Sequence, residues 1–290
     1  MSAIARLRTY GNLVAFSHTI FALPFAASAL VLSRAQAQHT PLTAWRLLAM
    51  LMCMVTARTS AMAFNRWADR DVDAKNPRTK TRHIPAGQVP AKNALRLALA
   101  SGAVFMASAA TLGRWPAILS PIVLAVLLGY SLAKRFTWAA HVWLGVALAL
   151  APGGVWIASG AEPNLAIVSL MLGVVTWLLG FDVLYSLQDE SFDREHGLHS
   201  IPAKFGLGGA LVISATAHVF TVVFFVATGV LLHRGAPFFC AAAVAGLLLT
   251  YEHVLVGKGN LAKIDKAFFD MNAYVSVGFF ALVLVDEVLR

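Results

Sequence analysis

The stretch "LLAMLMCMVTARTSAMAFNRWADRDVD", Leu47 to Asp73, decides how the rest of the chain is read. It is apolar almost throughout as far as Ala63 and then turns abruptly charged. The 24 residues from Phe64 to Gly87 hold three aspartates and six lysines and arginines. A run of ~20 apolar residues is long enough to cross a bilayer core. Acid and base therefore meet at the end of a membrane helix, where the chain leaves lipid for water.

The rest of the chain agrees. It has 290 residues, of which 59% are hydrophobic and 13% charged, and its mean hydropathy is +0.71. A soluble domain carries roughly 25% charged residues. Continuous apolar runs lie near 11–32, 43–64, 94–112, 115–133, 139–158, 165–187, 208–232, 236–256 and 267–286. They predict an all-α, polytopic bundle of about nine transmembrane helices, forming one integral-membrane domain over 1–290. A β-barrel would instead alternate in strands of ~10 residues. The first run is longer than a signal-peptide core and no clear cleavage site follows it, so it is read as a helix. Cys53 and Cys240 both fall inside apolar runs and are read as packing residues.

Basic residues orient the bundle. With the N-terminus inside, sixteen of the 23 lysines and arginines fall in inside segments and five outside, while Arg58 and Arg96 lie in helices. The net charge of +9 is thus mostly a topology signal, and no nucleic-acid partner is needed to explain it. The lipid bilayer is the partner that the composition requires.

Both acid-rich loops, about 65–92 and 188–207, lie on the inside and hold half of the 14 acidic residues. Asn65, Asp69 and Asp73 recur every four residues, so on a continuing helix they share one face. Arg58 precedes Asn65 by seven residues, about 20° away on that face. Asp71 points to the other side. In "FDVLYSLQDESFDREHG", Asp182, Tyr185, Asp189 and Asp193 fall within an arc of ~80°, and Glu190 and Glu195 fall outside it. Like charges on one face repel. Water can screen them in a solvated loop, but divalent cations account better for one register used twice. Mg²⁺ takes oxygen ligands and bridges carboxylates to phosphates. Arg58 inside a helix and Lys134 and Arg135 at the inner end of another supply base for a phosphate. The pattern points to a substrate with a diphosphate head and an apolar tail.

These residues resemble the UbiA superfamily of intramembrane prenyltransferases. "NRWADRDVD" is similar to its N-x-x-x-D-x-x-x-D motif, and "DVLYSLQDESFD" to its D-x-x-Y-x-x-x-D-x-x-x-D motif. "RTKTRHIPAG", "GYSLAKRFTWAAHVWLG" and "HSIPAKFG" resemble the neighbouring family segments. Many members carry Asp directly after the motif asparagine, where this chain has Arg66. The resemblance implies helices around a central cavity, Mg²⁺ as cofactor, a polyprenyl diphosphate donor and an aromatic acceptor. By the same resemblance Asp69, Asp73, Asp189 and Asp193 hold the metal, Arg58, Asn65 and Lys134 bind the diphosphate, and Asp182 and Tyr185 lie near the reacting carbon. One diphosphate with its cations spans little more than ~12 Å, which sets the expected separation of Asp69 and Asp189.

"AMAFNR" and "FSHTIFALPFA" look like the 4-hydroxybenzoate polyprenyltransferase-like branch of quinone biosynthesis. The same chemistry on 1,4-dihydroxy-6-naphthoate, in a menaquinone route, is an alternative, as is an acceptor such as haem. A transporter is a remoter one, since transporters place charge near the midplane and these acids sit at the inner surface. His18 and Asn272 are read as acceptor-pocket residues, with helix packing and interhelical bonding as the competing accounts. Glu252 and His253 are read as interfacial, and the cluster Gly206–Gly209 as the start of a helix. The expected location is the bacterial inner membrane, with the acidic loops cytoplasmic.

Overall fold

The computed structural model describes residues 9–14, 19–37, 40–257, 264 and 267–290. Every regular element among them is helical. In chain order these are α1 Thr19–Ser33, α2 Ala44–Ala68, α3 Arg70–Lys75, α4 Ala91–Ala110, α5 Arg114–Ala133 and α6 Ala140–Ala158. Then follow α7 Leu165–Ser186, a 3-10 turn Leu187–Asp189, α8 Glu190–Glu195, α9 Ile201–Leu231, α10 Ala236–Val256, a π-turn Ala267–Met271 and α11 Asn272–Val288. Among the described residues eight helical stretches are long and apolar enough to cross a membrane, and Phe21–Ser33 is a shorter apolar helix. Eight of the expected runs are matched by these stretches, and α1 falls in the first expected run, part of which lies outside the described residues.

Exposure is inverted relative to a soluble protein. Leu247 and Val254 are 71% and 70% exposed, whereas Thr221, Ser276 and Asn272 are at 0%. Lipid, unlike water, accepts the first arrangement, and in lipid polar groups must be satisfied internally. Thr56 and Thr59 accordingly donate to their own helix, to the carbonyls of Met52 and Val55 at 2.6 and 2.7 Å. Pro24, Pro121 and Pro152 stand inside helices, as membrane helices tolerate.

The described residues form two compact units. The first contains α2 to α5. There the Ser60 hydroxyl donates to the Ala98 carbonyl at 2.8 Å, and Gly102 admits Leu124 and Ser60 so closely that a Cβ would meet them at 3.1 and 3.2 Å. The second contains α1 and α6 to α11. Its core is aromatic: Phe25 meets Trp177 at 4.9 Å between centroids and Phe225 meets Phe279 at 4.5 Å, both pairs tilted, all four rings fully buried. Such pairs add about 0.5–1.5 kcal/mol each beyond the area they bury. Asn164 caps α7, its Oδ1 accepting from the amides of Ala166 and Ile167 at 3.0 and 3.2 Å.

α9 is not straight. Ser200 caps its start by accepting from the Ala203 amide at 3.3 Å, and the chain breaks at Gly206 with φ 68° and ψ −178°. Only glycine adopts that conformation without strain. The short piece before the break carries Lys204, whose ammonium lies 4.7 Å from the Trp138 ring, while Trp138 meets Phe205 edge-on. The long apolar piece begins after Gly206, where the glycine cluster marked a helix start.

Candidate active site

The first stripe lies in the first unit. α2 ends at Ala68, and Asp69, with φ −90° and ψ 3°, joins it to α3. The hydrogen-bond ladder runs through the joint: the Asp69 amide donates to Asn65 at 2.9 Å and the Asp73 amide to Asp69 at 2.7 Å. The period of four therefore survives, and Asn65 Nδ2 donates to Asp69 Oδ2 at 2.8 Å. Asp73 is 5% exposed. Its Oδ1 accepts from Arg82 at 2.7 Å, while its Oδ2 is buried without a hydrogen bond. Asp71 turns outward, its side chain 78% exposed beside Arg70, as the register predicts.

Base surrounds this acid. Arg58, Arg66 and Asp69 all act electrostatically on the Tyr130 hydroxyl of α5. Arg66 feels Arg82, Asp73 and Asp69 and donates to the Leu13 carbonyl at 3.4 Å. His83, in the loop before α4, is held below the usual imidazole range by burial and by the charge of Arg66.

The second stripe lies in the second unit. α7 delivers Asp182 and Tyr185, the 3-10 turn Asp189, and α8 Asp193. Asp189 and Asp193 are both buried. Lys134 Nζ stands 3.6 Å from Asp193 Oδ2, an oxygen that has no hydrogen bond. The same residue is tied to the loop by its backbone, since its carbonyl accepts from the His199 amide at 2.7 Å. Asp182 Oδ2 lies 2.6 Å from His141 Nδ1. Tyr185 is half-buried against the aromatic core. Glu190, off the stripe, pairs with Arg194 at 2.8 Å on the surface.

Two buried carboxylate stripes, each with base beside it, sit at the ends of apolar helices, and the sequence pattern of the UbiA prenyltransferase family matches residues 22–276. The chain belongs to that family. It is a prenyltransferase and an integral, multi-pass membrane protein. It is 28% identical to a 4-hydroxybenzoate octaprenyltransferase of Vibrio atlanticus, over 81% of this chain and 83% of that one. It is 27% identical to one of Vibrio campbellii, over 93% and 90%. Among solved structures, the apo UbiA homologue of Aeropyrum pernix K1 is 34% identical, with a TM-score of 0.83 over 93% of this chain and 98% of that one. A UbiA homologue of Archaeoglobus fulgidus bound to GPP and Mg²⁺ shares the fold, with a TM-score of 0.71 at 17% identity over 95% and 99%.

The carboxylates of this UbiA enzyme suit Mg²⁺. They offer hard oxygen ligands, and the buried oxygens of Asp73 and Asp193 lack hydrogen bonds. Among the described residues no three acidic, histidine or cysteine side chains form a ready-made cage. Mg²⁺ seldom requires one, since it keeps waters and is held by one or two carboxylates plus substrate phosphates.

Not every expected residue comes to the stripes. His18 lies outside the described residues. Asn272 is fully buried; it accepts from Trp177 Nε1 at 2.8 Å and donates to Glu252 at 3.0 Å, which is the interhelical-bonding account. Glu252 is 1% exposed, and His253 bonds His218 at 3.0 Å. A carboxyl near a helix end is read from sequence as wet, and only the Asn272 contact explains its burial. Cys240 is exposed and so is not a packing residue. Sequence reasoning missed Arg82, Tyr130 and His141. The first lies within the quoted charged loop and could have been found there.

Proposed function

We propose that this enzyme transfers a polyprenyl group from polyprenyl diphosphate to the ring of a hydroxylated aromatic carboxylate of the 4-hydroxybenzoate type, in quinone biosynthesis. The observation that carries the reading is the pairing of buried, under-bonded carboxylates with base in each stripe, at Asp73 with Arg82 and at Asp193 with Lys134. The names of the relatives support the acceptor class, and the GPP and Mg²⁺ bound by the Archaeoglobus fulgidus homologue support the donor and metal.

In this reading Asp69 and Asp73 of the first stripe, and Asp189 and Asp193 of the second, would hold Mg²⁺ with the diphosphate. The metal, when bound, neutralises the negative charge that builds on the diphosphate as it leaves. Arg58 and Lys134 add fixed positive charge at the same group, and Asn65 orients it. Fixed charges of this kind cost no reorganisation during reaction. The allylic C–O bond breaks and its electron pair leaves with the diphosphate. The ring carbon ortho to the hydroxyl bonds to the allylic carbon, and the ring proton is then lost. Asp182 steers the acceptor or takes that proton, with Tyr185 beside the reacting carbon. The surrounding apolar helices exclude the water that would quench the allylic cation. The acidic loops face the cytoplasm from the bacterial inner membrane, as the basic-residue count indicates.

The test is to offer membranes containing the enzyme a polyprenyl diphosphate with 4-hydroxybenzoate, 1,4-dihydroxy-6-naphthoate or haem, and to identify products by mass spectrometry. Prenylated 4-hydroxybenzoate is expected. Product from the naphthoate or haem alone would overturn the acceptor and leave the donor chemistry standing.

A further inference from the structure

Asp182 differs from the other stripe carboxylates in its partner. His141, on α6, puts Nδ1 2.6 Å from Asp182 Oδ2. Its other nitrogen, Nε2, accepts from the backbone amide of Ile201 at 3.3 Å. A backbone amide can only donate, so Nε2 presents a lone pair and the single ring proton sits on Nδ1. That proton is donated to Asp182. Both nitrogens are thereby committed, and a second ring proton could be placed only by breaking the bond to Ile201. Exposure divides the pair in the same sense: the imidazole side chain is 1% exposed and the carboxylate 19%. The histidine is sealed behind the acid, and the acid keeps an open side.

We propose that His141 is a positioning residue for Asp182. Its Nδ1–H fixes Oδ2, leaving Oδ1 to meet the acceptor. A charge-assisted bond this short fixes direction. Ile201 completes the arrangement. It opens α9 directly after the second acidic loop, where Ser200 caps the helix and the loop is held to Lys134 through His199. The loop that carries Asp193 therefore also sets the histidine ring. His141 does not move a proton in this arrangement; it determines where Asp182 points. The inference rests on the proposed role of Asp182 and adds the group that orients it.

Three variants of the full-length enzyme in nanodiscs test this: Asp182→Asn, His141→Leu and His141→Asn. Leucine removes the donor. Asparagine places an amide N–H near the Nδ1 position and gives up the bond to Ile201, so it isolates the contact to Asp182. Misplacing a catalytic group by about 1 Å can cost 10²-fold. His141→Leu is therefore expected to lower kcat by roughly 10- to 100-fold with the donor KM unchanged, and His141→Asn to recover most of that loss. Nitrogen-15 NMR of labelled histidine, assigned with His141→Leu, is expected to show the proton on Nδ1 and its signal displaced in Asp182→Asn. Wild-type kcat in His141→Leu while Asp182→Asn is impaired would overturn the positioning role and leave the proposed function intact. Equal losses in the leucine and asparagine variants, or a proton found on Nε2, would overturn it too. Wild-type kcat in Asp182→Asn would remove Asp182 from the reaction, and the inference with it.

Discussion

Gly145 on α6 offers a way to move His141 against Asp182 by a known distance. A Cβ there would lie 2.7 Å from the Val175 carbonyl oxygen and 3.2 Å from Val175 Cα. Non-bonded heavy atoms are comfortable at roughly 3.5 Å, so Gly145→Ala forces α6 and α7 apart by about 0.8 Å. The nearest atoms are backbone and cannot swing aside. Overpacking of this kind costs about 1–3 kcal/mol. His141 precedes Gly145 by one turn and Asp182 follows Val175 by two, so both lie near the strained contact. The same displacement would stretch their 2.6 Å bond to roughly 3.4 Å, beyond the range of a charge-assisted bond. The assay is thermal melting in detergent together with kcat on one acceptor, and both should fall. Two controls sharpen it. Gly153→Ala on the same helix meets the Met171 thioether at 2.6 Å, a flexible group that can turn away, so its effect should be small. Adding Val175→Ala to Gly145→Ala should not rescue it, because the closest atom is the carbonyl. Wild-type melting and wild-type kcat in Gly145→Ala would refute the argument.

Asp69→Ala and Asp189→Ala should each abolish turnover while the protein still inserts and melts cooperatively, and EDTA should stop the wild type; full activity of purified enzyme without divalent ions would remove the metal from the scheme. Arg58→Ala and Lys134→Ala should each lower kcat/KM for the donor on the order of 10²-fold, more than for the acceptor, and unchanged donor kinetics would exclude that residue from diphosphate binding. Arg82→Ala withdraws the charged partner of a buried carboxylate and should destabilise the apo protein by about 2 kcal/mol, since hydrogen bonds to charged groups contribute about 1.5–3 and Arg82 is partly wet. Added Mg²⁺ should restore more stability to that variant than to the wild type; equal gains would argue against Asp73 as a metal ligand.

The parts of the fold that were legible in the sequence are those with a short period. Apolar runs of membrane length announced the helices, and a repeat of four placed Asn65, Asp69 and Asp73 together even though Asp69 itself leaves helical geometry. The same register put Asp71 outside. What was not legible depends on contacts between distant residues. His141 stands 41 positions from Asp182 inside an apolar run, where a lone histidine has no local pattern to mark it. Trp177 and Asn272 are 95 apart, and only the fold makes Asn272 a bridge to Glu252. Arg66 stood out in the sequence as a departure from the family motif. In the structure it stands among Asp69, Asp73 and Arg82, so the charge missing from the motif is replaced by a cation.

The break at Gly206 separates two mechanical environments. A transmembrane span tilts when the hydrocarbon thickness around it changes, and the long part of α9, exposed along much of its length, must follow the bilayer. The five residues before the break need not. Lys204, Trp138 and Phe205 hold them together, with the kind of side chains that settle at a membrane surface, and a discontinuity in the helical ladder transmits bending poorly. The amide of Ile201, which donates to His141, thus belongs to the short piece before the break and not to the long one. A tilt of the long piece therefore need not turn the ring behind Asp182.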